Sequence, residues 1–238
     1  APAGYGKTSL VCNWLQYADH PVYWLSLDEQ NNLPSSFWTY FYHCLRKIDN
    51  DLDDEAETII ENHCIDDYCR ISDLILASLE KLGRKWNRPH RAVIVLDDFQ
   101  YIDNPLILTS FNRLLDYLPS WLQIVITTRK TPALKLPNRC SKSTAHLIQA
   151  SELVFEAEHI ADFLKMKLDL QLSKDQLQHL FMKTEGWAAA IQLTGLALKA
   201  GISFEDCTNT QDSLLAEFLF DEVFSQLSHD IQTLLVDI

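Results

Sequence analysis

The segment Ala1-Pro-Ala-Gly-Tyr-Gly-Lys7-Thr8 constrains the fold of this chain more than any other feature. It follows the pattern G-x-x-x-x-G-K-[ST], with Ala1 in the place of the first glycine. Such a loop needs small residues because its backbone N–H groups must close around phosphate oxygens, and Gly4 and Gly6 supply that freedom. A helix has to follow, so that its dipole and free N–H groups face the anion. Leu10, Val11, Trp14, Leu15 and Ala18 predict a helical apolar stripe directly after Thr8. A strand has to feed the loop, and that strand is not among the 238 residues. Residues 218–238 read as the opening helices of another domain. The sequence is therefore read as an excerpt of a longer protein.

Further along, short β-rich apolar runs alternate with helical patterns, which predicts a parallel sheet covered by helices. The runs are 22–27, 92–96, 123–127 and a weaker one at 146–148. A helix opened by Pro34 carries Phe37, Trp38, Phe41, Leu45 and Ile48 on one face. A second carries Leu74, Ile75, Leu79, Leu82 and Trp86, and a third runs from Pro105 to Leu118. After about residue 150 only helical patterns remain. Ile160, Phe163, Leu164 and Leu168 form one stripe, and Ser173 with Gln176 forms a capping box before the next. Residues 187–199 make a third helix of this group, ended by Gly201. The expected fold class is thus α/β, with a small all-α domain behind it.

Composition narrows the function. A net charge of −13 argues against nonspecific nucleic-acid binding by this segment. No apolar run approaches the roughly 18 residues needed to span a bilayer. The acidic run Asp49, Asp51, Asp53, Asp54, Glu55 and Glu57 reads as a solvated loop rather than a metal site. The six cysteines include no zinc-type pair. His63, Cys64 and Cys69 beside Asp66 and Asp67 are the nearest approach to a cluster, and unpaired cytosolic thiols are the simpler reading.

Two further elements carry chemistry. Val93-Ile-Val-Leu-Asp97-Asp98 is a buried strand with two acids at its C-terminal edge, where ligands collect in open α/β sheets. In that setting Lys7 reaches the β- and γ-phosphates and the Thr8 hydroxyl and Asp97 hold Mg²⁺. Asp98 orients and deprotonates an attacking water. Gln123-Ile-Val-Ile-Thr-Thr128-Arg129 is a second strand, ending in polar groups. Arg129 reads either as a γ-phosphate sensor or as a surface arginine after a strand. Asp28 reads as a water-polarising group, a partner of Arg129 or a cap for a turn with Asn31 and Asn32.

Taken in order, these residues resemble the MalT-like, LuxR-type ATP-dependent transcriptional regulators, within the STAND class of P-loop NTPases. Pro2-Ala-Gly-Tyr-Gly-Lys-Thr8 is similar to that family's P-loop, and Tyr23-Trp-Leu-Ser-Leu-Asp28-Glu29 to its second strand and acidic turn. Leu96-Asp-Asp-Phe-Gln-Tyr-Ile102 resembles its Walker B segment, and Thr127-Thr-Arg-Lys-Thr-Pro132 its sensor strand. Thr184-Glu-Gly-Trp-Ala-Ala-Ala-Ile-Gln-Leu193 resembles a characteristic downstream run.

The resemblance implies a sheet order of 5-1-4-3-2 and three regions: a nucleotide-binding domain over 1–150, a helical domain over 151–203, and the start of a winged-helix domain over 204–238. It implies ATP or ADP contacts at Ala3, Gly4, Tyr5, Gly6, Lys7, Thr8 and Ser9, with Gly186 and Trp187 approaching from the helical domain. Trp187 also has a plain reading as a core aromatic. The resemblance further implies slow hydrolysis through Lys7, Asp98 and Arg129, self-association in the ATP state, and a cytoplasmic location without a membrane. The inducer, small molecule or protein, and DNA would be bound by regions beyond Ile238. Where the family has a capping box after Phe155, this chain has Glu156 and His159, so the box is expected to be lost there. Phe99 and Gln100 replace a more usual Tyr-His and are expected to matter little.

Two rival functions fit fewer residues. A P-loop small-molecule kinase needs an arginine-rich lid, and Arg139 is the one arginine beyond Arg129. A non-hydrolysing scaffold retaining bound nucleotide needs only the loop.

Overall fold

The computed structural model describes residues 1–49, 58, 68–85 and 91–208. The acidic run beyond Asp49, the His63–Cys64 pair, Trp86 and residues 209–238 lie outside these, and with them most of the expected winged-helix start. The chain divides into two compact units. One is Thr8–Leu147, and the other joins Ala1–Lys7 to the chain from Ile148 onward.

The first unit is built on three parallel strands, β1 (Val22–Ser26), β2 (Ala92–Asp97) and β3 (Leu122–Ile126), in the order β1-β2-β3. That is the 2-3-4 adjacency of the expected order. Residues 146–148 form no strand. In the implied order that segment pairs with the strand feeding the loop, and no described residue supplies it.

β2 is buried along its whole length, as a central strand covered on both faces must be. Alternation sorts its side chains. Val93 and Val95 pack with Val11 and Leu15 of helix α1 (Lys7–Leu15). Ala92, Ile94 and Leu96 point into a larger core beneath α2 (Pro34–Arg46), α3 (Tyr68–Lys85) and α4 (Pro105–Asp116). In α2, Phe37, Trp38, Phe41 and Leu45 are fully buried, so the predicted stripe is the packed face. Phe111 of α4 meets Phe37 and Phe41 edge-on, with centroids 5.5 and 5.7 Å apart. The stripe predicted for α1 is only half used. Val11 is buried, whereas Leu10 and Trp14 are exposed, because the described sheet ends at β3 and covers one side of the helix.

A short helix α5 (Leu136–Ser141) follows β3. Arg139 within it is buried, donating from Nε to Leu134 O at 2.9 Å and from Nη2 to Asn112 O at 2.9 Å, with Asp116 Oδ1 also 2.9 Å away. Its guanidinium ties the post-β3 segment to α4. It is committed to this role and is not a lid group, which removes the one arginine the kinase reading had.

The second unit is helical: α6 (Ala157–Leu168), α7 (Lys174–Thr184), α8 (Ala188–Lys199) and α9 (Phe204–Thr208). Ile160, Leu164, Leu180 and Ile191 form its core, lined by Phe155, Phe163 and Phe181. The predicted box opens α7, with Ser173 Oγ accepting from Gln176 N at 3.2 Å and Gln176 Oε1 from Ser173 N at 2.9 Å. At α6 the expected loss of the box is corrected. His159 Nδ1 accepts the Glu156 amide proton at 3.3 Å, since a ring nitrogen can take the place of a carboxylate oxygen. Among the described residues, no helix is long and apolar enough to cross a membrane.

Two outcomes are expected. Arg139→Ala leaves buried carbonyls unpaired and should cost about 3 kcal/mol in urea unfolding, while loss of the half-exposed Asp116 partner should cost about 1 kcal/mol or less. Cys44 is buried and its thiol is pushed above the ordinary value by desolvation, so thiolate is scarce there. In native protein a thiol reagent at mildly alkaline pH should label the exposed Cys12 and Cys140 first, and Cys44 only on unfolding.

Candidate functional site

Asp97 is the one polar residue of β2, and it is buried at the strand's C-terminal end. A carboxylate there must be hydrogen-bonded. Thr8 Oγ1 donates to Asp97 Oδ1 at 3.0 Å, and the Thr127 hydroxyl donates to the same oxygen. The loop's threonine and the strand's first acid, 89 residues apart in sequence, therefore meet directly.

Thr127 does more than hold Asp97. It follows β3, is buried, and its own N–H donates to Leu96 O at 3.0 Å, extending the sheet by one residue. Its hydroxyl oxygen accepts from Asp98 N at 3.1 Å. One hydroxyl thus fixes the side chain of one acid and the backbone of the next. Asp98 turns the chain through the left-handed region, with φ 58° and ψ 44°. Aspartate tolerates that region better than bulky residues do. The turn delivers Phe99 into the aromatic core, 5.7 Å from Phe111. Phe99 N also donates to Thr127 O at 2.9 Å.

Gln100, which was expected to matter little, makes two hydrogen bonds in the structure. Its Nε2 donates to Asp98 Oδ1 at 2.8 Å and its Oε1 accepts from Arg129 N at 3.1 Å. Arg129 itself is half-buried. Thr128 is engaged in a local turn, donating to Lys130 O at 2.7 Å. Of the three polar residues closing this strand, Thr127 reaches the acids, Thr128 does not, and Arg129 is tied to Asp98 through Gln100. Thr127 and Gln100 are the residues that sequence reasoning undervalued. Their signal was only a polar side chain beside each acid or strand end.

Asp28 has its geometry settled as a cap. Its Oδ1 accepts from Gln30 N at 2.9 Å and Asn31 N at 3.3 Å, and Asn31 Oδ1 accepts from Asp28 N at 2.9 Å.

In the other unit, Gly4 and Gly6 take φ +73° and +74°. Only glycine adopts these angles freely, which is what a backbone anion cradle requires. Trp187 donates its indole N–H to Ala3 O at 3.0 Å, and Ala189 N donates to Gly4 O at 3.0 Å. A Cβ on Gly4 would come within 2.6 Å of both the Trp187 indole nitrogen and the Ala189 methyl, so space as well as φ demands glycine. Trp187 is half-buried. Gly186 is buried at φ +75° against Val154 and Phe155, which accounts for glycine there. Lys7 Nζ donates to Pro2 O at 2.7 Å. Tyr5 is half-buried, and Ser9 lies exposed in the first turn of α1.

These residues suit a magnesium nucleotide. Mg²⁺ is held by one or two protein oxygens together with substrate phosphates rather than by a carboxylate cage. The Thr8–Asp97 pair offers a hydroxyl and a carboxylate, and no group of three or more His, Cys, Asp or Glu side chains comes together among the described residues.

Comparison with known proteins agrees with the resemblance read from the motifs. No protein-family model matches the chain. The HTH-type transcriptional regulator MalT of Yersinia enterocolitica is 28% identical over 241 residues, covering 99% of this chain and 26% of the relative. MalT of Vibrio parahaemolyticus is 28% identical over 246 residues, with 100% and 26% covered. MalT of Klebsiella pneumoniae is 26% identical over 232 residues, with 95% and 25% covered. The chain spans about a quarter of the length of these curated relatives. Among solved structures, the Walker-type ATPase of Pyrococcus abyssi matches with a TM-score of 0.52 at 13% identity. That match covers 98% of this chain and 69% of that one, a likeness of fold.

The Thr127 hydroxyl can be tested alone. Thr127→Val keeps the shape but leaves the Asp98 amide and one bond to buried Asp97 unmet, and should lower stability by about 2 kcal/mol. Thr127→Ser should keep most of it, as read by urea denaturation of the two variants side by side.

Proposed function

We propose that this chain, alike along its whole length to MalT-type regulators, is the ATP-binding switch module of a signal-responsive transcriptional regulator. The observation that carries the reading is the direct contact of Thr8, the last residue of the loop motif, with Asp97 at the end of the central strand. The bound group supplies a phosphoanhydride and a divalent charge that neutralises its oxygens. The chain supplies the rest. Backbone N–H groups from Ala3 to Ser9 cradle the phosphates, and Lys7 adds a compact positive charge. Thr8 and Asp97 would hold the metal. Asp98 would orient a water and take its proton as the water adds to the γ-phosphorus and the bond to the β,γ-bridging oxygen breaks, releasing ADP and phosphate. Arg129 would distinguish triphosphate from diphosphate by charge. Gly186 and Trp187 bring the helical domain to the loop.

Hydrolysis in this reading is slow and resets a switch. Domain opening in the ATP state permits self-association in the cytoplasm. The domain scheme in this reading is nucleotide binding over 1–150, helices over 151–203 and the start of a winged helix over 204–238. Inducer and DNA are bound elsewhere in the full-length regulator. The acidic charge of this segment supports that division of labour.

The test uses the full-length protein. Lys7→Ala should weaken ATP binding roughly 10- to 100-fold, the loss of one charge-assisted contact set. Asp98→Asn should retain ATP binding and lose phosphate release. Unchanged ATP affinity in the lysine variant would sink the site.

A further inference from the structure

Gln100 stands between the two groups that the proposed function uses on the γ-phosphate side. Its amide donates to Asp98 Oδ1 at 2.8 Å and accepts the Arg129 backbone N–H at 3.1 Å. The orientation of that amide is fixed by chemistry. A backbone N–H can only donate, so the oxygen must face Arg129, and the NH₂ is left for the carboxylate, which can only accept. Both bonds are made at once only if the turn after β2 and the segment after β3 keep one spacing. Gln100 is itself half-buried, on a turn whose preceding residue, Phe99, is locked in the core. The side chain therefore starts from a rigid base.

We infer that Gln100 is a positioning residue that couples the water-handling carboxylate of Asp98 to the nucleotide-sensing segment of Arg129, so that turnover and ATP-over-ADP preference are set together. The inference rests on the assignment of Asp98 and Arg129 made above. Three consequences follow from the bonds. The donated N–H leaves one carboxylate oxygen of Asp98 bonded and the other free to face water. It also holds the carboxylate against rotation in the left-handed turn. Any shift of the Arg129 backbone pulls on the same amide, so displacement at the sensor is felt at the base. The affinity common to ATP and ADP depends on neither bond, because Gln100 has no part in the loop or in the Thr8–Asp97 pair.

The experiment compares full-length protein carrying Gln100→Leu, Gln100→His, Asp98→Asn and Arg129→Ala, measuring phosphate release and the separate affinities for ATP and for ADP. Gln100→Leu keeps size and removes both hydrogen bonds. It should lower kcat about tenfold and reduce the ATP-to-ADP affinity ratio by weakening ATP binding, with ADP affinity held within about twofold. Neutral imidazole offers one donor and one acceptor, so Gln100→His should restore both readouts where a filler of space cannot. If Gln100→Leu matches the unsubstituted protein in turnover and in affinity ratio while Asp98→Asn loses turnover and Arg129→Ala changes the affinity ratio, the coupling is overturned and the site stands. If Asp98→Asn and Arg129→Ala change nothing, the site assignment falls and takes the coupling with it. Where turnover is too slow to measure, the affinity ratio decides. A Leu variant with the ratio of the unsubstituted protein overturns the inference.

Discussion

Burial of β2 on both faces is the constraint on which the α/β unit depends. A strand with no exposed side needs apolar residues throughout and helices above and below, and the chain supplies both through Val93 and Val95 on one face and Ile94 and Leu96 on the other. The same constraint dictates the chemistry at its end. A carboxylate placed at the last position of such a strand cannot be solvated freely, so Asp97 is held by two hydroxyls, from Thr8 and Thr127. A donor set that satisfies a buried anion in this way is also one that a hard cation can join.

The strands, the burial of β2 and the aromatic face of α2 were legible because each rests on a local rule, whereas the strand order was legible only through the family resemblance. Period-2 alternation, a proline-opened helix and an acid pair after four apolar residues can all be read from a few neighbouring letters. The loop was legible for the same reason. What escaped was long-range and polar. Nothing local marks Gln100 as a bridge to Arg129, 29 residues away, or Thr127 as the partner of both acids. Nothing local marks Arg139 as buried either, and its role depends on carbonyls of α4 and Leu134. The α1 stripe was overread because a helical pattern states which residues are apolar and not which of them find a partner.

The helical unit shows the same economy. Two of its hydrogen bonds to the Ala1–Lys7 segment go to backbone carbonyls, from an indole N–H and from the amide of Ala189 near the start of α8. Recognition of main chain rather than side chain leaves the glycines free to be chosen for conformation. It also explains why the loop position with the tightest neighbours, Gly4, carries no side chain at all.

The left-handed backbone at Asp98 bears on how its variants can be interpreted. Asparagine shares aspartate's tolerance of that region, so exchanging the two alters charge while leaving the turn in place. Alanine lacks that tolerance, and its effect would mix a missing carboxylate with a shifted chain leading to Phe99. Alanine scanning, the habitual first survey of a pocket, would therefore misattribute to acid–base chemistry what belongs partly to geometry.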